Sequence, residues 1–382
     1  MSFTLTKEQQ MIQKMAREFS RKVLAETAAE RDITKEFPAE NLKKMGELGL
    51  MGMLVPAEYG GEDLDTVSYS LALTEIAYSC AATAVIMSVH DSIVCGSLTR
   101  FGTHEQKEKY LKPLASAEFI GSFGLTEPEA GSDPASMKTS AIKNKDHYIL
   151  NGTKRFITGG QTSGLFIVLA VTDEKKRHNG ISAFIVTPDM PGFSVGHVED
   201  KMGIRASDTT DLIFENCRVP AENLLGKEGQ GFKVAMSGLD DGRIGIASQS
   251  LGVGMAALDE TVKYAKKREQ FGQTISKFQG IRWMIADMAT DIECARLLVL
   301  NASAMKDRKE PCSCQASMAK LHASEMANRV TAQAVQIHGG YGVSKDYLVE
   351  RLYRDARVFT IYEGTSQIQK IVIANEIFKD KK

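Results

Sequence analysis

Four segments of this sequence concentrate side chains that can do chemistry. The first is Phe123-Gly124-Leu125-Thr126-Glu127-Pro128-Glu129-Ala130-Gly131-Ser132-Asp133, a turn-rich run dense in hydroxyls and backbone N–H donors. The second, Lys154-Arg155-Phe156-Ile157-Thr158-Gly159-Gly160, sets an aromatic strand residue before a threonine and two glycines. The third combines Arg268-Glu269-Gln270-Phe271-Gly272 and Gln279 with Gln336-Ile337-His338-Gly339-Gly340-Tyr341-Gly342. An arginine beside glycine-opened backbone suits a pyrophosphate, because the guanidinium offers a planar fork of donors. The fourth, Ile361-Tyr362-Glu363-Gly364-Thr365-Ser366-Gln367, puts a carboxylate after an apolar run and before a glycine and the N-cap residues of a final helix. Taken singly, the first segment also reads as an ordinary surface loop and Glu363 as a charge placed at a helix start.

Other chemistries lose their signals. Gly252-Val253-Gly254-Met255-Ala256-Ala257 fits a relaxed dinucleotide fingerprint, but it lies inside a helix-period run and follows no strand, so close helix packing is the expected role. There is no G-x-x-x-x-G-K-[ST] and no G-x-S-x-G, and the seven histidines show no H-x-x-x-H spacing, so no metal site is expected. The six cysteines include one close pair, Cys312 and Cys314, without the two-residue gap of zinc knuckles; they read as reduced thiols. The 382 residues carry 47 basic against 48 acidic side chains, which removes any general electrostatic pull toward nucleic acid or anionic membrane. No leader pattern opens the chain, so a cytoplasmic protein is expected, with a mature organellar matrix protein as the alternative. The most membrane-like stretch, Ile76 to Thr99, is broken by Asp91 and reads as a buried helix, not a membrane span.

These groups must be positioned by three blocks: 1–119, helical; 120–231, β; and 232–382, helical. In the first, Thr6 and Gln9 form a capping-box pattern, and Met11, Met15, Phe19 and Val23 follow as one apolar face. Helices are also expected around 39–50, 66–78 and 104–112. From about 120, five of the nine prolines and short apolar runs such as Leu165 to Val171 and Ile181 to Val186 predict strands. No helical stretch there is long enough for a crossover, which predicts an antiparallel sheet. After about 230, segments near 233–267, 275–305, 312–338, 345–358 and 366–378 predict a helical bundle.

Several motifs in one order resemble the acyl-CoA dehydrogenase family, closest to the short-chain or butyryl type, over about residues 5–378. They are the Phe123 to Asp133 loop, Phe156-Ile157-Thr158, Asp200-Lys201-Met202-Gly203-Ile204-Arg205, Arg268 with Phe271-Gly272, and Tyr362-Glu363-Gly364-Thr365. The resemblance implies a mostly α fold: a helical domain, a central antiparallel β-barrel-like domain and a four-helix bundle. It implies FAD-dependent dehydrogenation of an acyl-CoA to the 2-enoyl-CoA, as in fatty acid β-oxidation. The flavin would lie against Phe123, Leu125, Thr126, Ser132, Phe156, Ile157 and Thr158. The adenine dinucleotide half would be held partly by a neighbouring subunit through Arg268, Phe271, Gln279, Gln336, Ile337, Gly339 and Gly340, with Thr365 and Gln367 completing the site. Ser132, Asp240, Arg243 and Gly364 match substrate positions. A homotetramer built as a dimer of dimers is implied, with an electron-transferring flavoprotein as electron acceptor.

The reaction gives its own reasons for these residue types. Removing the proton alpha to a thioester creates enolate-like charge, so a base is needed on one face and a hydride acceptor on the other. A glutamate raised in pKa by an apolar pocket can be that base, and Glu363 is the candidate. In relatives of the isovaleryl or long-chain type the base sits at the position of Gly242, which a glycine cannot replace. Asp91 is the departure from the resemblance, since short-chain members usually carry a neutral polar residue there. A lone carboxylate in an apolar stretch is costly unless paired or protonated. Asp91 is either hydrogen-bonded at a turn beside His90 or a second base for a cyclic substrate such as cyclohexane- or cyclohexene-carboxyl-CoA, as the resemblance to such members implies.

Overall fold

A computed structural model describes residues 4–379. The N-terminal block holds α1 (Lys7–Phe19), α2 (Ala25–Thr34), α3 (Ala39–Glu47), α4 (Thr66–Ser79), α5 (Ala81–Met87), α6 (Gly96–Phe101) and α7 (His104–Ala115). The capping box at Thr6 forms as the sequence implies: Thr6 Oγ1 accepts from the Gln9 N–H (3.1 Å) and Gln9 Oε1 from the Thr6 N–H (3.0 Å). The buried face of α1 differs from the expected one, because it runs through Gln9, Ala16 and Phe19 while Met11 is 71% exposed. A repeat of four advances about 40° per step around a helix. Met11 therefore stands well round from Phe19, and α4 packs on the other side, where Gln9 donates to Asp65 and Arg17 pairs with Glu75.

Two π-helical stretches, Ser20–Leu24 and Ser88–Cys95, interrupt the helices. The second joins α5 to α6 without a break in direction. The resulting span Ala81–Phe101 is long and apolar enough to cross a bilayer, yet 94% of its most apolar window is buried inside the fold.

The central block carries β1 (Gly121–Gly124), β2 (Ser140–Asn144), β3 (His147–Thr158), β4 (Leu165–Val171), β5 (Ile181–Val186), β6 (Phe193–Val198), β7 (Thr209–Pro220) and β8 (Leu224–Leu225). Their order is β6-β7-β3-β2-β4-β5-β8, with β1 added on β4. The sheet is mixed, which corrects the antiparallel expectation: β1 pairs with β4 in parallel, and Ser140 of β2 meets Val171 in parallel. Parallel neighbours need a long crossover. Here the β2–β3 hairpin provides it in place of a helix. Among the described residues the pairing path ends at β6 and β8, so no closed barrel forms.

β4 is apolar at every position and β5 at every position but Ser182, because both faces are covered. Leu165, Ile167 and Leu169 join the large core shared with the helices, while Phe166, Val168 and Ala170 join a second core with Tyr148, Phe184 and Phe214.

The C-terminal block is α8 (Gly231–Lys267), a short hairpin at 269–274, α9 (Gln279–Asp307), α10 (Ser313–His338), α11 (Leu348–Phe359) and α12 (Ser366–Ile377). Alanine and glycine let α8 lie close to α4 and α10. The Gly252 reading holds: a Cβ there would stand 2.2 Å from the Thr74 carbonyl oxygen. Gly252→Ala therefore tests the packing. Helix propensity alone would gain about 1 kcal/mol, but overpacking costs about 1–3 kcal/mol, so a net loss of stability is expected in urea titration.

Candidate active site

Glu363 sits at the turn between α11 and α12, where a left-handed backbone (φ 53°) passes to Gly364 (φ 85°). A non-glycine residue in that region is held there by its surroundings. The turn is fixed from four sides. Gln369 Nε2 donates to the carbonyls of Glu363 and Gly364, both at 3.0 Å, and Lys320 Nζ donates to the Gly364 carbonyl at 2.8 Å. Thr365 Oγ1 caps α12 by accepting from the Ile368 N–H (3.3 Å). Tyr362 Oη donates to Gln249 Oε1 (2.5 Å), whose amide donates to the Ala81 carbonyl (2.7 Å).

The carboxylate itself is left free. Glu363 Oε2 is buried without a hydrogen-bond partner. A Cβ on Gly242 would stand 2.7 Å from it and 3.0 Å from Ile93 Cδ1, so the glycine leaves the space that the carboxylate fills. Burial pushes the Glu363 carboxyl up to about 7, against the pull of the Arg243 and Lys320 charges. Arg243 is itself buried and pairs with Asp240 (2.5 Å), which also accepts from Ser313 Oγ (2.7 Å).

A second cluster is built on β1 and β3. Phe123 is half-buried on β1, Leu125 is buried, Thr126 half-buried and Ser132 exposed. The loop folds back through mutual Glu127 and Ala130 backbone bonds, and the Thr126 carbonyl accepts from the Arg155 N–H (2.8 Å). A bulge in β3 between Lys154 and Ile157 turns Phe156 outward, with φ 59° and 56% exposure, while Ile157 is buried. Bulges re-aim side chains in this way beside functional sites. The Thr158 carbonyl accepts from Ser122 Oγ (2.5 Å).

The fastening of this loop lies in residues whose roles the sequence does not reveal. Lys154 Nζ, fully buried, donates to Glu127 Oε1 (2.7 Å) and to the Leu125 carbonyl (3.1 Å). Glu127 then accepts the N–H groups of Lys138 (2.6 Å) and Thr139 (2.9 Å). Burial opposes the Glu127 charge, but Lys154 and these donors outweigh it and hold the carboxyl below its ordinary value; burial brings Lys154 down to about 8. A lysine inside a strand otherwise facing a core was the only signal available.

The π-helical stretch joins the two clusters. His90 Nδ1 accepts from the Gly121 N–H (3.0 Å) at the start of β1, so its other nitrogen donates to the Leu114 carbonyl (3.0 Å). Three residues on, Ile93 lies on the same side of Gly242 as the Glu363 carboxylate, its Cδ1 3.0 Å from where a Cβ would stand. Asp91, between them, is fully buried and faces a backbone turn: Oδ2 accepts from the Met53 N–H (3.1 Å) and Oδ1 from the Leu54 N–H (3.4 Å). Burial pushes it up to about 8, against those two bonds.

The third group gathers elsewhere. Arg268 lies 5.3 Å from the Tyr341 ring, and Tyr264 stacks on His338, so the Arg268 segment and Gly339–Gly340 share one surface. Ile337 is buried beneath, while Gln279, Gln336 and Gln367 are exposed and Thr365 is half-buried. Phe271 is 94% exposed with φ 52°. Gly131, Gly272, Gly280, Gly339 and Gly340 have no atom within 4 Å of where a Cβ would stand. This open backbone fits a dinucleotide lying across it, and the bulged Phe156 segment fits a flavin ring. All six cysteines are free, and no His, Cys, Asp and Glu cluster among the described residues could hold a metal ion.

Three family models match the chain: the acyl-CoA dehydrogenase N-terminal domain at residues 6–118, the middle domain at 122–217 and the C-terminal domain at 229–378. The short-chain specific acyl-CoA dehydrogenase of Clostridium acetobutylicum is 50% identical over 379 residues, covering 99% of this chain and 100% of that one. The structure of butyryl-CoA dehydrogenase from Megasphaera elsdenii superposes with a TM-score of 0.97 at 45% identity, covering 99% and 100% of the two chains. A chain from structural work on the electron transferring flavoprotein of Acidaminococcus fermentans superposes with a TM-score of 0.98 at 50% identity, covering both chains fully.

Lys154→Met leaves Glu127 buried without its cation. Losing one partner of a buried pair costs about 3–5 kcal/mol, to be read as a shift in urea unfolding. The deficit should shrink as pH falls toward about 4, because the buried glutamate of the variant, left without its cation, is protonated by then while the wild-type carboxyl is held below its ordinary value. Lys154→Met with Glu127→Gln should recover part of the loss.

Proposed function

Because this chain belongs to the acyl-CoA dehydrogenase family, whose chemistry is FAD-dependent oxidation of acyl-CoA thioesters, we propose that it oxidises a short-chain acyl-CoA with Glu363 as the base. The observation that carries this reading is the buried Oε2 of Glu363, which has no hydrogen-bond partner and occupies the space left by Gly242. FAD, when bound, supplies the acceptor for the hydride that leaves the β-carbon. Phe123 to Thr126, Ser132 and Phe156 to Thr158 would hold its flavin half. Glu363 takes the proton from the α-carbon, and its position at a rigid turn keeps that oxygen aimed while the thioester is held. Arg243, Asp240, Ser132 and Gly364 serve the CoA side. Ile93 and the apolar wall behind it exclude water, which keeps the carboxylate basic.

The Arg268 cluster faces outward on the chain that carries it. In the proposed homotetramer, a dimer of dimers, Arg268, Phe271, Gln279, Gln336, Ile337, Gly339 and Gly340 serve the dinucleotide half of FAD bound to a neighbouring subunit. Thr365 and Gln367 complete the site. An electron-transferring flavoprotein is the electron acceptor that the similarity to the Acidaminococcus fermentans chain supports.

Asp91 is a positioning residue in this reading. Its two oxygens hold the Met53–Leu54 turn, which leaves the Glu363 side of the pocket to Glu363. Deprotonation of a cyclic acyl-CoA from Asp91 would need an oxygen turned away from that backbone.

Two outcomes test this assignment. Glu363→Gln in the yellow holoenzyme should lower butyryl-CoA turnover with a ferrocenium acceptor by about 10²–10⁴-fold. In the wild type kcat/KM should fall as pH drops through about 7, because the base works only when deprotonated. Retained turnover in Glu363→Gln would remove it as the base.

Asp91→Asn puts an NH2 group against one of two N–H donors, so turnover of butyryl-CoA and cyclohexenecarboxyl-CoA should fall together. A loss confined to the cyclic substrate would restore the second-base reading.

A further inference from the structure

Lys320 is a cation in a place built for alanine. It lies on the stripe of α10 formed by Ala316, Ala319, Ala323 and Ala327, all fully buried, and is itself 0% exposed. Its ammonium donates to one neutral acceptor, the Gly364 carbonyl at 2.8 Å. That carbonyl already accepts from Gln369 Nε2, which also secures the Glu363 carbonyl. Gln369 thus supplies a neutral anchor for the turn, and Lys320 adds a charged one. Burying an ammonium costs more than one bond to a neutral carbonyl returns. Its charge must be offset by an anion, and Glu363, next in sequence to the carbonyl that Lys320 holds, acts on it more strongly than Glu325.

The groups around the base can be named element by element. From α8 comes Arg243, already paired with Asp240. From α10 comes Lys320, and from its own turn the Tyr362 phenol, held by Gln249. The π-helical stretch contributes the aliphatic Ile93. Glu325 also faces Lys320, but it accepts from Ser366 Oγ (2.6 Å) at the start of α12.

We infer that Lys320 positions and tunes the base: its ammonium holds the Gly364 end of the turn and supplies a positive charge that favours the ionised form of the Glu363 carboxylate. This rests on Glu363 being the base. Burial brings Lys320 down to about 8 while the Glu363 charge pulls it up, and burial brings Glu363 up to about 7 while Arg243 and Lys320 pull it down. Each charge therefore favours the ionised form of the other, against the burial that opposes both.

The test is the pH profile of kcat/KM for butyryl-CoA, measured on holoenzymes carrying Lys320→Gln, Lys320→Arg, Gln369→Leu and Glu363→Gln. Removing the cation makes Glu363 harder to ionise. The acid limb in Lys320→Gln should therefore move up by about one pH unit, a roughly tenfold lower rate at pH 6. Lys320→Arg, which keeps the charge, should return the limb toward its wild-type position. Gln369→Leu removes a neutral anchor and should lower kcat without moving the limb. Infrared titration of the carboxyl band that disappears in Glu363→Gln should show the same shift independently of turnover. If Lys320→Gln does not fold, Lys320→Met takes its place as the neutral variant.

A folded neutral variant whose limb and carboxyl band stay at the wild-type pH overturns the proposal. If Glu363→Gln still turns over, the base assignment falls and the Lys320 proposal with it. If Glu363→Gln is inactive while the limb stays in place, only the Lys320 proposal falls.

Discussion

A carboxylate that has to be dry and yet ionisable is the constraint on which this structure turns. Water around Glu363 would weaken it as a base, whereas complete burial without cations would keep it protonated. The fold meets both demands by leaving Oε2 without a hydrogen-bond donor and setting Arg243 and Lys320 nearby. Neither cation bonds to the carboxylate. Arg243 is taken by Asp240 and Lys320 by the Gly364 carbonyl, so both act through their field and leave Oε2 of the proposed base free. The left-handed backbone at Glu363 is the local strain that this arrangement holds in place.

The β-block solves a related problem with a different pair. A loop proposed to offer its backbone to a flavin cannot also spend that backbone on a sheet. Lys154 and Glu127 replace the missing ladder bonds with a buried ion pair that gathers the Leu125 carbonyl and the Lys138 and Thr139 amides. Such a pair is costly to assemble but more costly to break, which suits a segment that has to keep one shape. The mixed sheet follows from the same block. Both faces of β4 and β5 are covered, so the strand that leads into the loop is added in parallel beside β4, and the β2–β3 hairpin serves as its crossover.

Legibility from sequence varied with how local the cause was. The capping box at Thr6, the turn before α12 and the extents of α8 to α12 depend on residues within a turn or two of each other, and they are visible in the text. The buried face of α1 was not, because four-residue spacing identifies a helix while its partner α4 decides which side is covered. The antiparallel expectation failed for β1 because strand direction depends on where the preceding helices deliver the chain. Within the site, Glu363 and the loop segments could be picked out, but the 127–154 pair spans 27 residues and could not. Lys320 was hidden among alanines of a helix that contacts the base only in three dimensions.

By itself the sequence determined the order of the three blocks, the candidate base and the segments that could cradle a dinucleotide, since those rest on residue type and short spacing. Tertiary structure decided how each acid is used. Glu363 and Asp91 are both buried carboxylates with raised pKa values, and their flanking residues do not say which hydrogen bonds each makes. One fills the space beside a glycine with an oxygen that has no hydrogen-bond partner, and the other faces two backbone N–H groups from a turn 37 and 38 residues away in sequence. Desolvation, charge and hydrogen-bond partners set what a carboxylate does, and all three are properties of neighbours brought together by folding.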